Sequence, residues 1–217
     1  MQRNLILKLL ILLFFTLVAS TQTGRNISSY LYSLIVDKNF HSVVDDKFYR
    51  SGKLSNEDLA ERIQEHGIKS VINLRRGGDR RGSDGRTQAE VVGSLGGSYY
   101  EVRLNSKRPP NDGRLEKLVE LFDTVEKPIM VYCTSGTHRS GVAAAVWLLL
   151  EEGTQTEAAL DQLTSRFGFF KFERYMRYYF SSIPTLDMFI WDFAEANKKD
   201  GVSFRQWYQQ YIISLQG

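Results

Sequence analysis

Residues 129–141 read IMVYCTSGTHRSG and change from apolar to polar residues at Cys133. Its first four apolar residues are typical of a buried strand, which stops at Cys133. The nine consecutive apolar residues from Val142 to Leu150 predict a helix that is buried on nearly all sides. A buried strand, a short polar loop and a buried helix therefore follow one another in this part of the chain.

The rest of the chain also alternates short apolar runs with amphipathic helical patterns, which predicts an α/β architecture. Ser55 is typical of a helix start and Gly67 of a helix end. We predict two short strands or a hairpin at 40–44 and 47–50, helices at 55–67 and 87–95, strands at 68–74 and 98–104, and a helix that follows the turn Pro109-Pro110-Asn111-Asp112 and ends at Val125.

The composition excludes several classes of protein. The chain has 217 residues, one cysteine, three histidines and a formal net charge of +3. This length predicts one domain, at 30–217, with a core large enough to fold without disulfides. One cysteine and three scattered histidines exclude a disulfide-rich protein and a structural zinc site with four protein ligands. The small charge excess predicts no nucleic-acid partner.

The aromatic residues concentrate in the C-terminal segment 167–217, where basic residues are interleaved with them. This pattern is found in proteins that bind single-stranded nucleic acid. At helical spacing it is more often a packed layer with basic edges, so we predict a C-terminal helical extension.

Residues 1–23 begin with basic residues and continue with an apolar run of about 11 residues. That run is shorter than the ~20 residues that span a bilayer, so a cleaved signal peptide is favoured and an uncleaved membrane anchor is the alternative. We expect a protein that is exported to the periplasm or the extracellular space, or one that is membrane-anchored with its catalytic domain outside the cytoplasm.

The loop after Cys133 has the residues that phosphate chemistry needs. Backbone N–H groups at the positive end of a helix ring an anion and favour a thiolate, which makes Cys133 a candidate nucleophile. Arg139 offers a planar fork to two phosphate oxygens, and Ser140 is placed to hydrogen-bond the sulfur. The candidate phosphate-binding residues are Thr134, Ser135, Gly136, Thr137, His138 and Arg139.

Cysteine, five residues, arginine and a hydroxyl residue resemble the signature loop of the cysteine-dependent protein phosphatase superfamily. The motifs FYRSG at 48–52 and GIKSVINLR at 67–75 are similar to compact bacterial and plant/fungal atypical dual-specificity phosphatases. The resemblance spans about residues 40–170. It implies a central, mostly parallel sheet of four to five strands flanked by helices. It also implies a phosphate-monoester hydrolase with a cysteinyl-phosphate intermediate, no metal or cofactor, and a phosphorylated protein or small phosphate ester as partner.

The loop departs from the superfamily pattern at two positions. Tyr132 stands where histidine usually precedes the cysteine, and Thr137 stands where lysine is frequent. The general acid is normally supplied by a loop some 20 to 35 residues before the cysteine, where Asp112 is the best candidate. The alternative for Asp112 is a helix cap, and Glu101 lies in range but inside a predicted strand.

Several alternatives stay open on the sequence alone. One is a pseudophosphatase, in which the loop binds phosphate without turnover. Another is sulfur transfer as in a rhodanese, although Arg139 followed by Ser140 speaks against it. The basic loop RRGGDRRGSDGR at 75–86 is either a solvated surface loop or a rim that attracts an anionic substrate. His138 is favoured as an exposed loop residue.

Overall fold

The computed structural model describes residues 37–108, 112–151, 155–169 and 185–216. Five strands form one sheet, and helices cover both of its faces. The elements are β1 His41–Val44, β2 Phe48–Ser51, α1 Asn56–His66, β3 Ser70–Asn73, α2 Gln88–Ser94, β4 Ser98–Glu101, α3 Arg114–Thr124, β5 Ile129–Tyr132, α4 His138–Leu150, α5 Thr156–Asp161, a 3₁₀ turn Ser165–Phe167, α6 Met188–Asp200 and α7 Phe204–Gln216. The predicted α/β fold with a C-terminal helical extension is confirmed.

The sheet has the strand order β1-β2-β5-β3-β4, and only the β1–β2 pair is antiparallel. The central strand β5 lies between β2 and β3. In register, Tyr132 is opposite Ser51 on one side and Asn73 on the other. The carboxyl ends of three parallel strands therefore meet at one edge, which is where ligands bind in open α/β sheets.

Side chains alternate between the two faces of the buried strands, as the period of two requires. Phe48, Ile72 and Val131 pack in the larger core cluster with α3, α4 and the C-terminal helices. Their neighbours Tyr49 and Val71 pack in the smaller cluster with α1 and α2. Two cores, one on each face, hold the strand ends in a fixed position.

The helix boundaries follow the capping signals in the sequence. The Ser55 side chain accepts a hydrogen bond from the Asp58 N–H, and Gly67 ends α1 in the left-handed region with φ 59°. Thr87 caps α2 in a complete capping box with Glu90. The predicted ends of these two helices are therefore confirmed.

The strands are shorter than the apolar runs that predicted them. The run 98–104 is a strand only as far as Glu101, although Val102 and Leu104 beyond it are buried. Apolar residues in the sequence indicate burial and not strand pairing. The apolar run therefore extends beyond the last residue that pairs with the neighbouring strand. The predicted turn at Pro109–Asn111 and the predicted N-terminal segment lie outside the described residues.

The two last helices build an aromatic layer against the larger core. Phe193 meets Phe204 edge to face at 5.1 Å between ring centroids, and Trp207 stacks on Tyr211 at 4.9 Å. In the described part of the segment, the aromatic residues thus pack as a layer. None of the helices in the described residues has the length and apolar character needed to cross a membrane.

Replacing Thr87 by Ala removes the hydroxyl that accepts the Glu90 N–H at 3.2 Å. We expect the free energy of unfolding to fall by about 1 kcal/mol, as for other N-cap losses, measured by urea denaturation. Thr87→Ser is the matched control because it keeps the hydroxyl. An equal loss in both variants would show that the cap does not stabilise α2.

Candidate active site

The carboxyl end of β5 leads directly into the loop that the sequence singles out. Cys133 is the first residue after β5 and is only 1% exposed. Its N–H donates to the Ser51 carbonyl at 3.2 Å, which continues the pairing of β5 with β2. Because α4 begins at His138, the N–H groups of its first turn have no partner within the helix, and the positive end of the helix lies at the loop.

The carbonyl oxygens of residues 134–137 all accept hydrogen bonds from donors outside the loop. The donors are the Lys53 N–H to Thr134 (3.2 Å), Asn39 Nδ2 to Ser135 (3.3 Å), and Arg50 Nη2 to both Gly136 (2.8 Å) and Thr137 (3.0 Å). In a trans peptide the N–H points opposite to the C=O. The N–H groups that follow these carbonyls therefore point away from the donors, which is the arrangement of an anion-binding nest.

Arg50, on β2, donates two of the hydrogen bonds that hold the loop carbonyls; we call this set of hydrogen bonds the brace. Its side chain is completely buried. Besides the two loop carbonyls, it donates through Nη1 to Gln162 O (2.8 Å) and Gln162 Oε1 (3.0 Å), and its guanidinium lies 4.3 Å from the centre of the Phe167 ring. Arg50 lies within the motif FYRSG, but the sequence alone assigns it no role. An arginine inside a buried strand was the available signal.

Asn39 supports the loop from the same side. It is fully buried with φ 59°, and its Oδ1 lies 2.8 Å from His41 Nε2. Burial, followed by the charges of Arg50 and Arg166, lowers the pKa of His41 to about 4. His41 is therefore neutral near pH 7, and its Nε2–H donates to Asn39, which orients the amide Nδ2 toward the loop.

The thiol of Cys133 lies in surroundings that favour the thiolate. Burial raises its pKa, but hydrogen bonds from the hydroxyl and N–H of Ser140, the charge of Arg139 and the N–H of Ser135 outweigh this and lower the pKa below its usual value. The Ser140 Oγ lies 3.4 Å from the sulfur. The loop and the helix start thus act together on one buried sulfur atom.

Arg139 spans the mouth of the site. Its Nη2 donates to Thr134 Oγ1 at 3.0 Å and its Nη1 to the Leu74 carbonyl at 3.3 Å, at the end of β3. A cavity of about 280 Å³ opens beside it. Its described lining residues are Arg75, Arg76, Gly77, Asn105, Ser106, Lys107, Thr134 and Arg139. The first part of the basic loop therefore forms a cationic rim at this mouth.

Tyr132 occupies the position before the cysteine without touching the loop through its hydroxyl. Tyr132 and Cys133 pack in different core clusters, on opposite faces of the sheet. The hydroxyl of Tyr132 lies 2.8 Å from that of Tyr99. Burial raises the pKa of Tyr132 above its usual range and that of Tyr99 to about 12, so both phenols are neutral near pH 7. The pair braces β5 and β4 and adds no charge to the site.

His138 is more enclosed than the sequence favours. Its side chain is 25% exposed, and its Nε2 lies 2.8 Å from Oδ1 of Asp187, which is fully buried. The Thr185 hydroxyl donates to the same oxygen at 2.7 Å, and the Phe169 ring lies 5.3 Å from the imidazole. The loop is thus fastened to the residues that precede α6, a contact that the sequence does not predict.

Asp112 lies just before α3, where its carboxylate contacts both the backbone and the side chain of Arg114. Its Oδ1 accepts the Arg114 N–H at 3.4 Å, and its Oδ2 lies 3.1 Å from Arg114 Nη1. It is not among the described lining residues of the cavity. The N-cap of α3 is Gly113, without a side-chain cap hydrogen bond, so Asp112 is not the cap residue, and a general-acid role for Asp112 stays a prediction.

A family model described as "DSP-PTPase phosphatase fused to NAD+ Kinase" matches residues 30–175. The chain belongs to this family. The match contains the Cys133 loop and both upstream motifs, so it confirms the resemblance to dual-specificity-type phosphatases. It ends before α6, so the Asp187 contact lies beyond the part that the DSP-PTPase family model matches. No curated protein matches the chain.

This DSP-PTPase family member is similar to solved structures of phosphatases. The core catalytic domain of SIW14 from S. cerevisiae is 23% identical with a TM-score of 0.50, over 74% of this chain and 93% of that one. TpbA from P. aeruginosa is 20% identical with a TM-score of 0.48, over 61% and 77% of the two chains. A putative phosphatase from Neisseria meningitidis is 21% identical with a TM-score of 0.44, over 59% and 88%.

Gly136 tests whether the loop needs its close contact with β2. It has φ 71°, and a Cβ built there would lie 2.6 Å from the Gly52 N and 2.9 Å from the Ser51 carbonyl carbon. Gly85 has φ 77° with nothing within 4 Å of such a Cβ, so Gly85→Ala is a matched control for backbone strain alone. We expect Gly136→Ala to lower the free energy of unfolding by roughly 1–3 kcal/mol more than Gly85→Ala in urea denaturation. Equal losses would contradict the close-contact requirement.

Proposed function

We propose that the chain is a phosphate-monoester hydrolase that works through a phosphocysteine on Cys133. The observation that carries this proposal is a buried cysteine with a lowered pKa beside a loop whose carbonyls all bond outward. Such a loop offers its N–H groups to a phosphoryl group, and its cysteine is a ready nucleophile.

In the first step the phosphoryl group of the substrate binds the loop N–H groups and the guanidinium of Arg139. The Cys133 sulfur attacks phosphorus, an S–P bond forms, and the P–O bond to the leaving group breaks. The leaving oxygen takes a proton from a general acid or from water, and Asp112 is the predicted acid. Arg139 neutralises the charge that spreads over the equatorial oxygens.

In the second step water attacks the phosphocysteine, the S–P bond breaks, and inorganic phosphate and the thiolate are released. The Ser140 hydroxyl, 3.4 Å from the sulfur, donates a hydrogen bond to the departing thiolate. Tyr132 does not impair this role, because the hydrogen bonds that lower the pKa of Cys133 come from the loop and the helix start.

The rim of the cavity favours substrates that carry a second anionic group close to the scissile phosphate. Among the described lining residues four are cationic and none is acidic or aromatic. The Nε and Nη1 of Arg75 are buried and have no hydrogen-bond partner among the described residues. SIW14 is described as a PP-IP phosphatase, whereas a cysteine-to-serine variant of TpbA was crystallised with pTyr. The cationic rim favours a multiply phosphorylated small molecule over a phosphotyrosine peptide.

Replacing Cys133 by Ser is expected to abolish hydrolysis of an aryl phosphate because serine at this position is not ionised. Ser140→Ala is expected to slow release of phosphate from the phosphoenzyme, so that a burst of the aryl alcohol precedes the steady state. Hydrolysis by the Cys133→Ser variant at the wild-type rate would refute the phosphocysteine mechanism.

Two further measurements separate the alternatives. Binding of vanadate by the wild-type protein without hydrolysis between pH 5 and 8 would favour a phosphate-binding pseudophosphatase. Transfer of sulfur from thiosulfate to cyanide, lost in Cys133→Ser, would favour rhodanese chemistry.

The substrate preference is tested by neutralising the rim. Arg75→Gln is expected to raise KM for a multiply phosphorylated substrate about tenfold, the loss of roughly one charge-assisted hydrogen bond, and to change KM for a simple aryl phosphate little. The matched control is Arg81→Gln, in the same basic loop but outside the cavity lining. An equal change for both substrates would contradict a second anion subsite.

A further inference from the structure

Arg50 is a buried cation whose four described hydrogen bonds all go to uncharged oxygens. Three are carbonyl oxygens, of Gly136, Thr137 and Gln162, and the fourth is the Gln162 amide oxygen. A charge taken out of water is costly unless a counter-ion compensates it. A completely buried guanidinium therefore implies a negative group in its neighbourhood.

The groups that face Arg50 identify this counter-ion. Burial lowers the pKa of Arg50, and the charges of Cys133 and then Asp161 partly offset this, which leaves the pKa at about 9. Asp161 is about half exposed and lies 3.4 Å from Arg166, so solvent and a second cation weaken its effect. His41 is neutral near pH 7 and supplies no charge. Of the two anions that raise the pKa of Arg50, the thiolate of Cys133 is the buried one.

We propose that Arg50 is a positioning residue for the phosphatase reaction, which holds the loop carbonyls outward and stabilises the Cys133 thiolate from behind the loop. The proposal rests on the proposed function. Arg50 does not touch the substrate, because its side chain is sealed behind the loop. It acts through the loop carbonyls and through its charge.

Arg50 and Arg139 then have different roles on the two sides of the loop. Arg139 lies partly exposed at the mouth, where it bonds Thr134 Oγ1 and is free to meet a phosphoryl group. Arg50 supplies a positive charge near pH 7 on the protein side of the same loop. A planar guanidinium is required there because its Nη2 donates hydrogen bonds to two loop carbonyls while its Nη1 donates to Gln162.

Two substitutions separate the charge of Arg50 from its fork. Arg50→Lys keeps the charge but not the fork, whereas Arg50→Met keeps an unbranched apolar stem and removes both. The matched control is Arg205→Met, which removes one positive charge from an exposed pair with Asp123 far along the chain. The measurements are the rate of Cys133 alkylation by iodoacetamide against pH, kcat for an aryl phosphate, and the circular dichroism spectrum of each variant.

We expect the apparent pKa of alkylation to rise in Arg50→Met and to stay near the wild-type value in Arg50→Lys and Arg205→Met. In Arg50→Lys we expect kcat to fall at least about tenfold with the native spectrum retained, because the loop carbonyls lose a donor. A merely structural role would change stability without moving the pKa of the thiol.

A folded Arg50→Met variant with the wild-type alkylation profile would overturn the electrostatic part of the proposal. Wild-type kcat in Arg50→Lys would overturn the positioning part, and this variant decides alone if Arg50→Met does not fold. The alkylation profile needs no turnover. A wild-type protein with a low thiol pKa but no hydrolysis would therefore refute the proposed function while leaving the role of Arg50 testable.

Discussion

The site depends on the direction of four carbonyl groups. A loop that leaves a buried strand has no ladder to satisfy its polar backbone, and each buried carbonyl needs a donor. Here the donors come from outside the loop, from Lys53, Asn39 and Arg50. Once the carbonyls are bound on that side, planar peptides leave the N–H groups facing the other way. The proposed affinity of the loop for an anion thus follows from how its carbonyls are satisfied.

The sheet delivers these donors to the loop. Arg50 and Ser51 end β2, which runs parallel to β5 with Ser51 opposite Tyr132. The two chains leave the sheet together, so Gly52 stays beside Ser135 in an isolated bridge. Gly141, on the first turn of α4, lets Arg50 Nη2 and the Gln162 carbonyl approach within about 3 Å of the place where a Cβ would stand. Parallel pairing and a glycine on a helix therefore position a buried guanidinium.

Local signals made much of this predictable from the sequence. Ser55, Gly67 and Thr87 act on backbone groups within a few residues, so the helix ends could be inferred from short windows. The strand, Cys133 and Arg139 are likewise close in sequence. The brace could not be inferred, because Arg50 and Gly136 are 86 positions apart and His138 and Asp187 are 49 apart. Contacts of that range depend on the register and order of the strands, and periodicity reports neither.

The distribution of charge explains how a loop with few cations suits an anion. Thr137 stands where related loops often have lysine, and Tyr132 contributes a neutral phenol on the other face of the sheet. Positive charge is instead placed on both sides of the loop: Arg50 behind it, and Arg139 with the rim residues Arg75, Arg76 and Lys107 in front. A charge behind the loop acts on the sulfur whether or not substrate is present. Charges in front act on the parts of a substrate that extend beyond the phosphoryl group. In the proposed reaction, nucleophile strength and substrate preference are therefore set by different residues.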